Sequence, residues 1–399
     1  MRTKSGTTAL YAILLMASAI AVAFAGDRSD ERRLAEGNAA FAVDLYGQLR
    51  AQEGNQFFSP YSVSSALAMT YAGARGNTAT EMKDALDFRL DREQLHAAFK
   101  SLKQELTANA RKDGHKLNIA NGLCLTGGDV SGDFKALLKD NYDAEIFSGG
   151  LQKINDWVKA KTEGKIEKIL EGLSGNSVCV ILNAIYFKGD WESPFKKKST
   201  HDAPFKVSAQ RQVKVPLMYQ KSHFKMLEAE SFQGISIPYA GKVLSMVVLL
   251  PREVGGLEQL ERQLTAQGLE QWLAELDKRH AQDVRLFLPR FKMETDYGLV
   301  PAFRALGMTD AFIAGKADFS GMGWPKGKLW ISQIKHKAYV EVNEEGTEAA
   351  AATAVAMETL AMRPSPVFRA DHPFLFLIRD SKTGSILFMG RLTDPRAGE

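Results

Sequence analysis

Residues that could support catalysis are scattered along the chain and form no recognised motif. The sequence contains no G-x-S-x-G elbow, no H-E-x-x-H pair, no Walker loop and no C-x-x-C pair. A catalytic triad could still be assembled in space, because its members can come in any chain order. No pattern identifies a nucleophile, a base or a metal ligand set, so we expect no enzymatic activity, no metal and no cofactor. The seven histidines lie at positions 96, 115, 201, 223, 280, 336 and 372.

The stretch from Glu344, "EEGTEAAAATAVAMETLAMRPSP", is the most unusual segment of the sequence. Its run of small residues from Thr347 to Ala356 contains no proline. Alanine favours helix, but the run could also be a flexible linker or an unpaired β-strand. In a strand, Thr347 and alternate residues would face one side, and Glu348 would face water. Composition alone does not choose between helix and strand.

Composition indicates one globular domain that we place from Gly26 to Glu399. The chain has 399 residues, of which 45% are hydrophobic and 25% charged, and a net charge of +4. This charge does not call for nucleic acid as a partner. The two cysteines, Cys124 and Cys179, lie in apolar segments and are expected to be buried free thiols.

The first 25 residues match a secretory signal peptide. Arg2 and Lys4 precede an apolar run that ends in the A-x-A pattern Ala23–Ala25. An uncleaved membrane anchor is the alternative, but the run is short for a bilayer span. The sequence therefore predicts secretion, into the extracellular space or into the periplasm of a Gram-negative source, with no membrane association afterwards. The absence of an N-x-[ST] glycosylation site mildly favours a prokaryotic source.

Helices early in the chain and strands late in it indicate an α+β fold. The segment "SVCVILNAIYF" is apolar on both faces and should lie in the middle of a covered sheet, where Asn183 needs hydrogen-bond partners. Thr78 and Glu81 match the T-x-x-E capping box of a helix start. The segment "KINDWVKAKTEGKIEKIL" predicts a helix, a break at Gly164 and a second short helix.

Several long motifs, in one order along nearly the whole mature chain, resemble the serpin family of serine protease inhibitors. "VEVNEEGTEAAAATAV" resembles the serpin hinge, and "ILNAIYFKGDWESPF" resembles the central strand and the corner after it. Three further stretches also match, and these are "FFSPYSVSSALAMTYAGARGNTATEM", "LPRFKMETDYGLVPAFRALGMTDAF" and "ADHPFLFLIRDSKTGSILFMGRL".

The resemblance implies a fold of three β-sheets and eight or nine helices that exposes a reactive loop. A protease attacks the loop and forms an acyl-enzyme, and the cut loop inserts into the large sheet as an added strand. The displaced protease cannot complete hydrolysis. The partner implied is a target serine protease, held covalently by a monomeric inhibitor that needs no cofactor.

The resemblance also assigns site residues. The hinge comprises Glu344, Glu345, Gly346, Thr347, Glu348, Ala349, Ala350, Ala351, Ala352 and Thr353. The shutter, beneath the point where the large sheet opens, comprises Ser59, Ser62, Asn183 and His336, with Asn183 expected to bond His336 and a serine hydroxyl. The breach, where the loop enters, comprises Gly189, Trp191, Arg290 and Glu344. An Arg290–Glu344 salt bridge is expected, although the family more often has lysine at the first position.

Family spacing places the cut bond at Leu360–Ala361, with Met362–Arg363 and Met357–Glu358 as alternatives. Leucine at this position predicts a chymotrypsin-like or elastase-like target. A non-inhibitory serpin that acts as carrier, chaperone or storage protein is the alternative function, as is inhibition of cysteine proteases. The hinge favours inhibition, because small residues can enter a sheet without obstruction. The bridge "IFSGGLQ" is shorter than in the family and predicts a short edge strand and a late start of the covering helix.

Overall fold

The computed structural model describes residues 30–173, 179–346 and 364–397. The helices in these residues are α1 (30–49), α2 (Pro60–Gly73), α3 (Gly76–Ala85), α4 (Arg92–Lys112), α5 (Gly132–Tyr142), α6 (Leu151–Lys161), α7 (Leu257–Gln263), α8 (Ala266–Lys278) and α9 (Val300–Ala305).

The strands alternate with these helices early in the chain and dominate its second half. They are β1 (Gln56–Phe58), β2 (Lys116–Leu125), β3 (Glu145–Phe147), β4 (Cys179–Lys188), β5 (His201–Lys206), β6 (Gln212–Glu228), β7 (Phe232–Pro238), β8 (Leu244–Pro251), β9 (Gln282–Pro289), β10 (Phe291–Gly298), β11 (Ile331–Val342), β12 (Val367–Arg369), β13 (Phe374–Asp380) and β14 (Ile386–Leu392).

The described strands form three sheets, as expected. The large sheet has the order β10-β11-β4-β2-β3. The other two sheets share the long strand β6, whose end at Lys225–Glu228 pairs with β7 while Leu217–Phe224 pairs with β9. Strand β4 is buried along almost its whole length in the middle of the large sheet, which confirms its predicted position. Cys124 and Cys179 are free and buried.

Helix α2 packs at the centre of the molecule beneath the large sheet. Its N-cap Ser59 accepts a hydrogen bond from the Ser62 amide, and Pro60 occupies the first helical turn. Every residue of α2 is buried, so its helical state is stabilised by packing on all sides and not by one apolar stripe. This burial carries Ser59 and Ser62 to the underside of the sheet.

The edge strand β3 of the large sheet is short, as the sequence predicted. Strand β3 has three residues and pairs in parallel with β2. Helix α6 starts at Leu151 after Gly150, whose φ of +87° suits glycine. The α6 face that covers the sheet contributes Ile154 and Val158 to a buried cluster with strands β2 and β4.

The second helix predicted after Gly164 does not form. Residues 165–170 lack helical hydrogen bonding, and Ile166, Ile169 and Leu170 instead pack on the large sheet. Asn155 of α6 replaces the helical partners, because its Oδ1 accepts from the amides of Ile169 and Leu170. Tertiary packing therefore overrides the local helix pattern.

The predicted capping box at Thr78 and Glu81 is also wrong. Helix α3 already begins at Gly76, so both residues lie inside it. Thr78 accepts a hydrogen bond from the Asp318 amide, and Glu81 accepts hydrogen bonds from the amides of Thr309 and Asp310. Both side chains therefore hold a distant loop and do not cap their own helix.

Candidate functional site

The large sheet contains a parallel seam between β4 and β11, which come from distant parts of the chain. The register runs from Ile331 opposite Cys179 to Tyr339 opposite Tyr186, with an irregularity between residues 331 and 333. Beyond that point β11 pairs only with β10, and β4 pairs only with β2. The two strands thus stop pairing with each other toward Gly346, where the chain segments beyond them are joined by the hydrogen bond from the Trp191 amide to the Glu345 carbonyl.

A buried hydrogen-bond network lies under this seam. Asn183 of β4 and His336 of β11 are register partners. The His336 Nδ1–H donates to Asn183 Oδ1 (2.5 Å), and the Asn183 amide donates to Ser62 Oγ and to Asn121 Oδ1 (both 2.6 Å). His336 Nε2 accepts from the Ser59 amide (3.1 Å). The network therefore connects β4, β11, β2 and α2, and one of its bonds crosses the seam.

The sequence did not single out Asn121 as a member of this network. It lies in β2 directly opposite Asn183. Like Asn183, Asn121 is an asparagine within an apolar strand, and the sequence shows this. That the two side chains meet is shown only by the register of β2 on β4.

Burial holds the His336 side chain in its neutral form. Burial lowers the pKa of His336 to about 3, and the bond to Asn183 acts in the opposite direction. His96, buried between α4 and α5, has its pKa lowered to about 4 by burial and by the charge of Arg92. Both imidazoles are therefore neutral in the folded protein at ordinary pH.

Lowering the pH below about 6.5 is expected to destabilise the intact protein. The unfolded chain gains protons on both histidines near their ordinary pKa, while the fold excludes them until pH 4 and 3. The free energy of unfolding is therefore highest above pH 6.5. On acidification it falls by up to about 1.4 kcal/mol per pH unit for each histidine. Urea unfolding midpoints measured from pH 8 to pH 4.5 should stay level above 7 and fall below 6.5. A midpoint that rises or stays level on acidification would contradict this prediction.

At the open end of the sheet, Glu344 is buried and bonded on both oxygens. Arg290 donates to both carboxylate oxygens, one at 2.7 Å, and the Thr200 hydroxyl donates at 2.5 Å. Burial alone would raise the pKa of Glu344, but the hydrogen bonds from Arg290 and Thr200 outweigh it and hold the pKa below its usual range. The bidentate geometry suits arginine better than the lysine common in the family.

Trp191 anchors the chain segment that leaves the sheet. Its ring stacks on Tyr239 at 4.6 Å between centroids, and its Nε1–H donates to the carbonyl of Asn343. Gly346 has a φ of +125°, and a Cβ there would lie 2.3 Å from the carbonyl oxygen of Gly189. Only glycine fits this close approach, so the chain direction at Gly346 is fixed.

The structure therefore brings together every described residue of the predicted shutter and breach. Glu344, Glu345 and Gly346 lie at the open end of the seam. The predicted hinge residues 347–353 and the predicted cut bond Leu360–Ala361 lie outside the described residues, as does the predicted leader.

The family profile of serpins, described as serine protease inhibitors, matches residues 36–395. The chain belongs to the serpin family. This serpin is 41% identical to a leukocyte elastase inhibitor of Equus caballus, with 91% of this chain and 100% of the relative covered. It is 42% identical to serpin B6 of Pongo abelii, with 91% and 99% covered. The crystal structure of human thyroxine-binding globulin matches with a TM-score of 0.83 and 30% identity over 92% of this chain and 99% of that one.

These relatives contradict the predicted location. They are matched over 99–100% of their own length, yet the family match begins only at residue 36 of this chain. The leader-like residues 1–25, on which the predicted extracellular or periplasmic location depended, lie outside the family match, and the expectation of secretion is wrong. The relatives are mammalian proteins and give no support to a prokaryotic source. Within the described ranges, no helix is both long and apolar enough to cross a membrane.

Proposed function

We propose that this serpin is a suicide-substrate inhibitor of chymotrypsin-like or elastase-like serine proteases. It acts as a monomer and traps the acyl-enzyme when its cut loop inserts between β4 and β11. It is consumed in the reaction and does not act as an enzyme.

The closed parallel seam is the observation that carries this proposal. Strands β4 and β11 run in the same direction, so a strand that enters from Gly346 and runs back down the sheet is antiparallel to both. Each added ladder hydrogen bond contributes about 0.5–1.5 kcal/mol net, so about ten inserted residues contribute on the order of ten kcal/mol. That is comparable to the stability of a whole domain, so the closed fold must be kinetically trapped.

The described contacts support distinct roles for the predicted residues. Arg290, Glu344 and Trp191 hold the point of entry, which is the breach. Below it, in the shutter, the bond between Asn183 and His336 holds the seam closed, and the bond of Asn183 to Ser62 ties β4 to α2. Residues 347–353 complete the hinge. Thr347 and the alanines can enter the sheet without burying a charge, and in a strand Glu348 would face water.

The proposed target class depends on Leu360, which we propose as the residue before the cut bond. A leucine fits the apolar primary pockets of chymotrypsin-like and elastase-like proteases. The similarity to a protein named leukocyte elastase inhibitor supports the same class.

The non-inhibitory alternative is not favoured. The fold itself does not decide, since it also matches thyroxine-binding globulin. The higher identities, 41% and 42%, are to a protein named as an elastase inhibitor and to serpin B6. The run from Thr347 to Ala356 contains no proline, and Glu348 is its one charged residue.

Incubation with leukocyte elastase or chymotrypsin is expected to give a covalent complex that survives boiling in detergent. Mass spectrometry of the released fragment should find a new N-terminus at Ala361. The control is protease inactivated at its catalytic serine, which cannot form the acyl bond and should give no such complex. Cleavage of the loop with full recovery of protease activity would overturn the inhibitory proposal, and a main cut elsewhere would change the proposed target class.

A further inference from the structure

Tyr339 of β11 occupies the last register position of the β4–β11 seam. Its ring contacts that of Tyr186 across the seam, with the centroids 6.1 Å apart and the planes at 60°. Both residues are almost fully buried, with 4% and 2% of their surface exposed. A strand that enters from Gly346 must first break the backbone bridge between Gly346 and Asp190, and the Tyr186–Tyr339 pair is then the first register pair of the seam that it must open.

Two lysines flank the Tyr339 ring. Lys165 Nζ lies 5.4 Å from the ring centroid, and Lys292 Nζ lies 5.5 Å from it. Both distances fall within the range of about 6 Å in which a cation is attracted to an aromatic face. The Tyr339 hydroxyl donates to Glu341 Oε2 at 2.9 Å. Burial, followed by the neighbouring Glu341 carboxylate, raises the pKa of Tyr339 and keeps the hydroxyl protonated.

These two lysines belong to opposite sides of the seam. Lys292 lies in β10, which pairs with β11 along its full length, so Lys292 and Tyr339 are on the same side. Lys165 lies in the segment after α6, next to the fully buried Ile166. Ile166 packs in a cluster that includes Val180 and Leu182 of β4, and Tyr339 is the one member of that cluster from β11. The Thr162 hydroxyl bonds both the amide and the carbonyl of Ile166, which fixes this segment to α6.

Insertion of a strand affects the two contacts differently. Neighbouring strands are about 4.8 Å apart, so one added strand moves β11 away from β4 by about that distance. Lys165 remains with β4, so its distance to the Tyr339 ring increases beyond the range of the cation–π attraction. Lys292 moves together with β11 and keeps its contact. Of these two lysine contacts, the one made by Lys165 therefore distinguishes the closed sheet from the expanded one.

We infer that Lys165, through its contact with Tyr339 across the seam, restrains the opening of the large sheet and slows insertion of the loop. This inference depends on the insertion mechanism proposed above and adds a positioning residue outside the predicted hinge, shutter and breach. The segment after α6 contributes to the rate of loop insertion, because it positions Lys165 against the Tyr339 ring.

The test compares Lys165→Gln with Lys292→Gln in the full-length protein. Each variant removes one cation from the same ring at nearly the same distance, so each is the matched control of the other. The probe is a synthetic peptide of residues 347–358, TEAAAATAVAME, which can fill the gap between β4 and β11. Uptake is followed by native mass spectrometry, and the thermal melts of intact and loop-cleaved protein are measured alongside.

Lys165→Gln is expected to take up the peptide about two- to fivefold faster than the wild type, which corresponds to the loss of one exposed cation–π contact. Its intact form should melt at a lower temperature, while its cleaved form should melt as the wild type does. Lys292→Gln should leave the rate of uptake unchanged.

Equal effects of the two substitutions, or no effect of Lys165→Gln on the rate, would overturn the inference. An equal loss of stability in the intact and cleaved forms of Lys165→Gln would also overturn it, because that result indicates a general packing role. If the wild type neither takes up the peptide nor gains stability on cleavage, the proposed insertion mechanism itself is wrong, and this inference is wrong with it.

Discussion

Thr347→Arg is expected to convert this serpin from an inhibitor into a substrate of its target protease. Thr347 directly follows Gly346 in the sequence. In an inserted strand, alternation would turn its side chain toward the sheet interior. An arginine there would bury an unpaired charge as insertion begins, at a cost of several kcal/mol. The protease's acylation and deacylation steps do not involve this residue, so hydrolysis would finish before insertion traps the enzyme.

Two measurements decide this prediction. The stoichiometry of inhibition should rise at least tenfold in Thr347→Arg, with the cut still at the same bond. Wild-type protein with a cut loop should melt far above the intact form, because the inserted segment becomes a central strand of the large sheet. In Thr347→Arg, this rise in melting temperature on cleavage should be smaller or should develop more slowly.

Glu348→Arg provides the matched control for Thr347→Arg. It places the same side chain at the next position, which alternation turns toward water. This variant should still trap the protease with the stoichiometry of the wild type. Undiminished trapping by Thr347→Arg, or equal melting temperatures of intact and cut wild type, would contradict the insertion mechanism.

The sequence predicted the parts of the site that depend on residue type within a known motif. The apolar strand around Asn183 had to be central, since both of its faces required cover, and a buried amide there required polar partners. The pairing of Arg290 with Glu344 followed the family motif, and the structure adds the Thr200 hydroxyl as a third member.

The predictions from sequence that differ from the structure do so because of tertiary packing, which a single sequence does not show. Glu81 fits a local capping box, but in the fold it meets the amides of Thr309 and Asp310, 228 and 229 positions further along the chain. The sequence after Gly164 predicts a helix, but in the fold this segment is irregular, because Asn155 bonds its amides and its apolar side chains pack on the large sheet. Asn121 was not predicted as a site residue, because only the register of β2 on β4 places it opposite Asn183.

Asn183→Ala is expected to destabilise the intact protein more than the cleaved one. The Asn183 side chain accepts from His336 and donates to Ser62 and Asn121, and Asn183 and His336 are at most 1% exposed. Alanine would leave the imidazole N–H, a hydroxyl and an amide oxygen unpaired in a buried site. Each such loss costs about 1–3 kcal/mol, so the closed sheet should lose on the order of 3 kcal/mol or more.

The cleaved form should lose less, because one of these bonds exists only while the seam is closed. Insertion separates β4 from β11 by one strand, which breaks the bond between Asn183 and His336 in the wild type as well. Asn55→Ala is the matched control, since Asn55 also makes several hydrogen bonds but holds residues 393 and 394 without crossing the seam. Thermal melts of both variants, intact and cut, should show a larger deficit for intact Asn183→Ala than for its cut form, and equal deficits for Asn55→Ala. Equal deficits in both forms of Asn183→Ala would show that its network stabilises the fold in general and does not hold the seam closed.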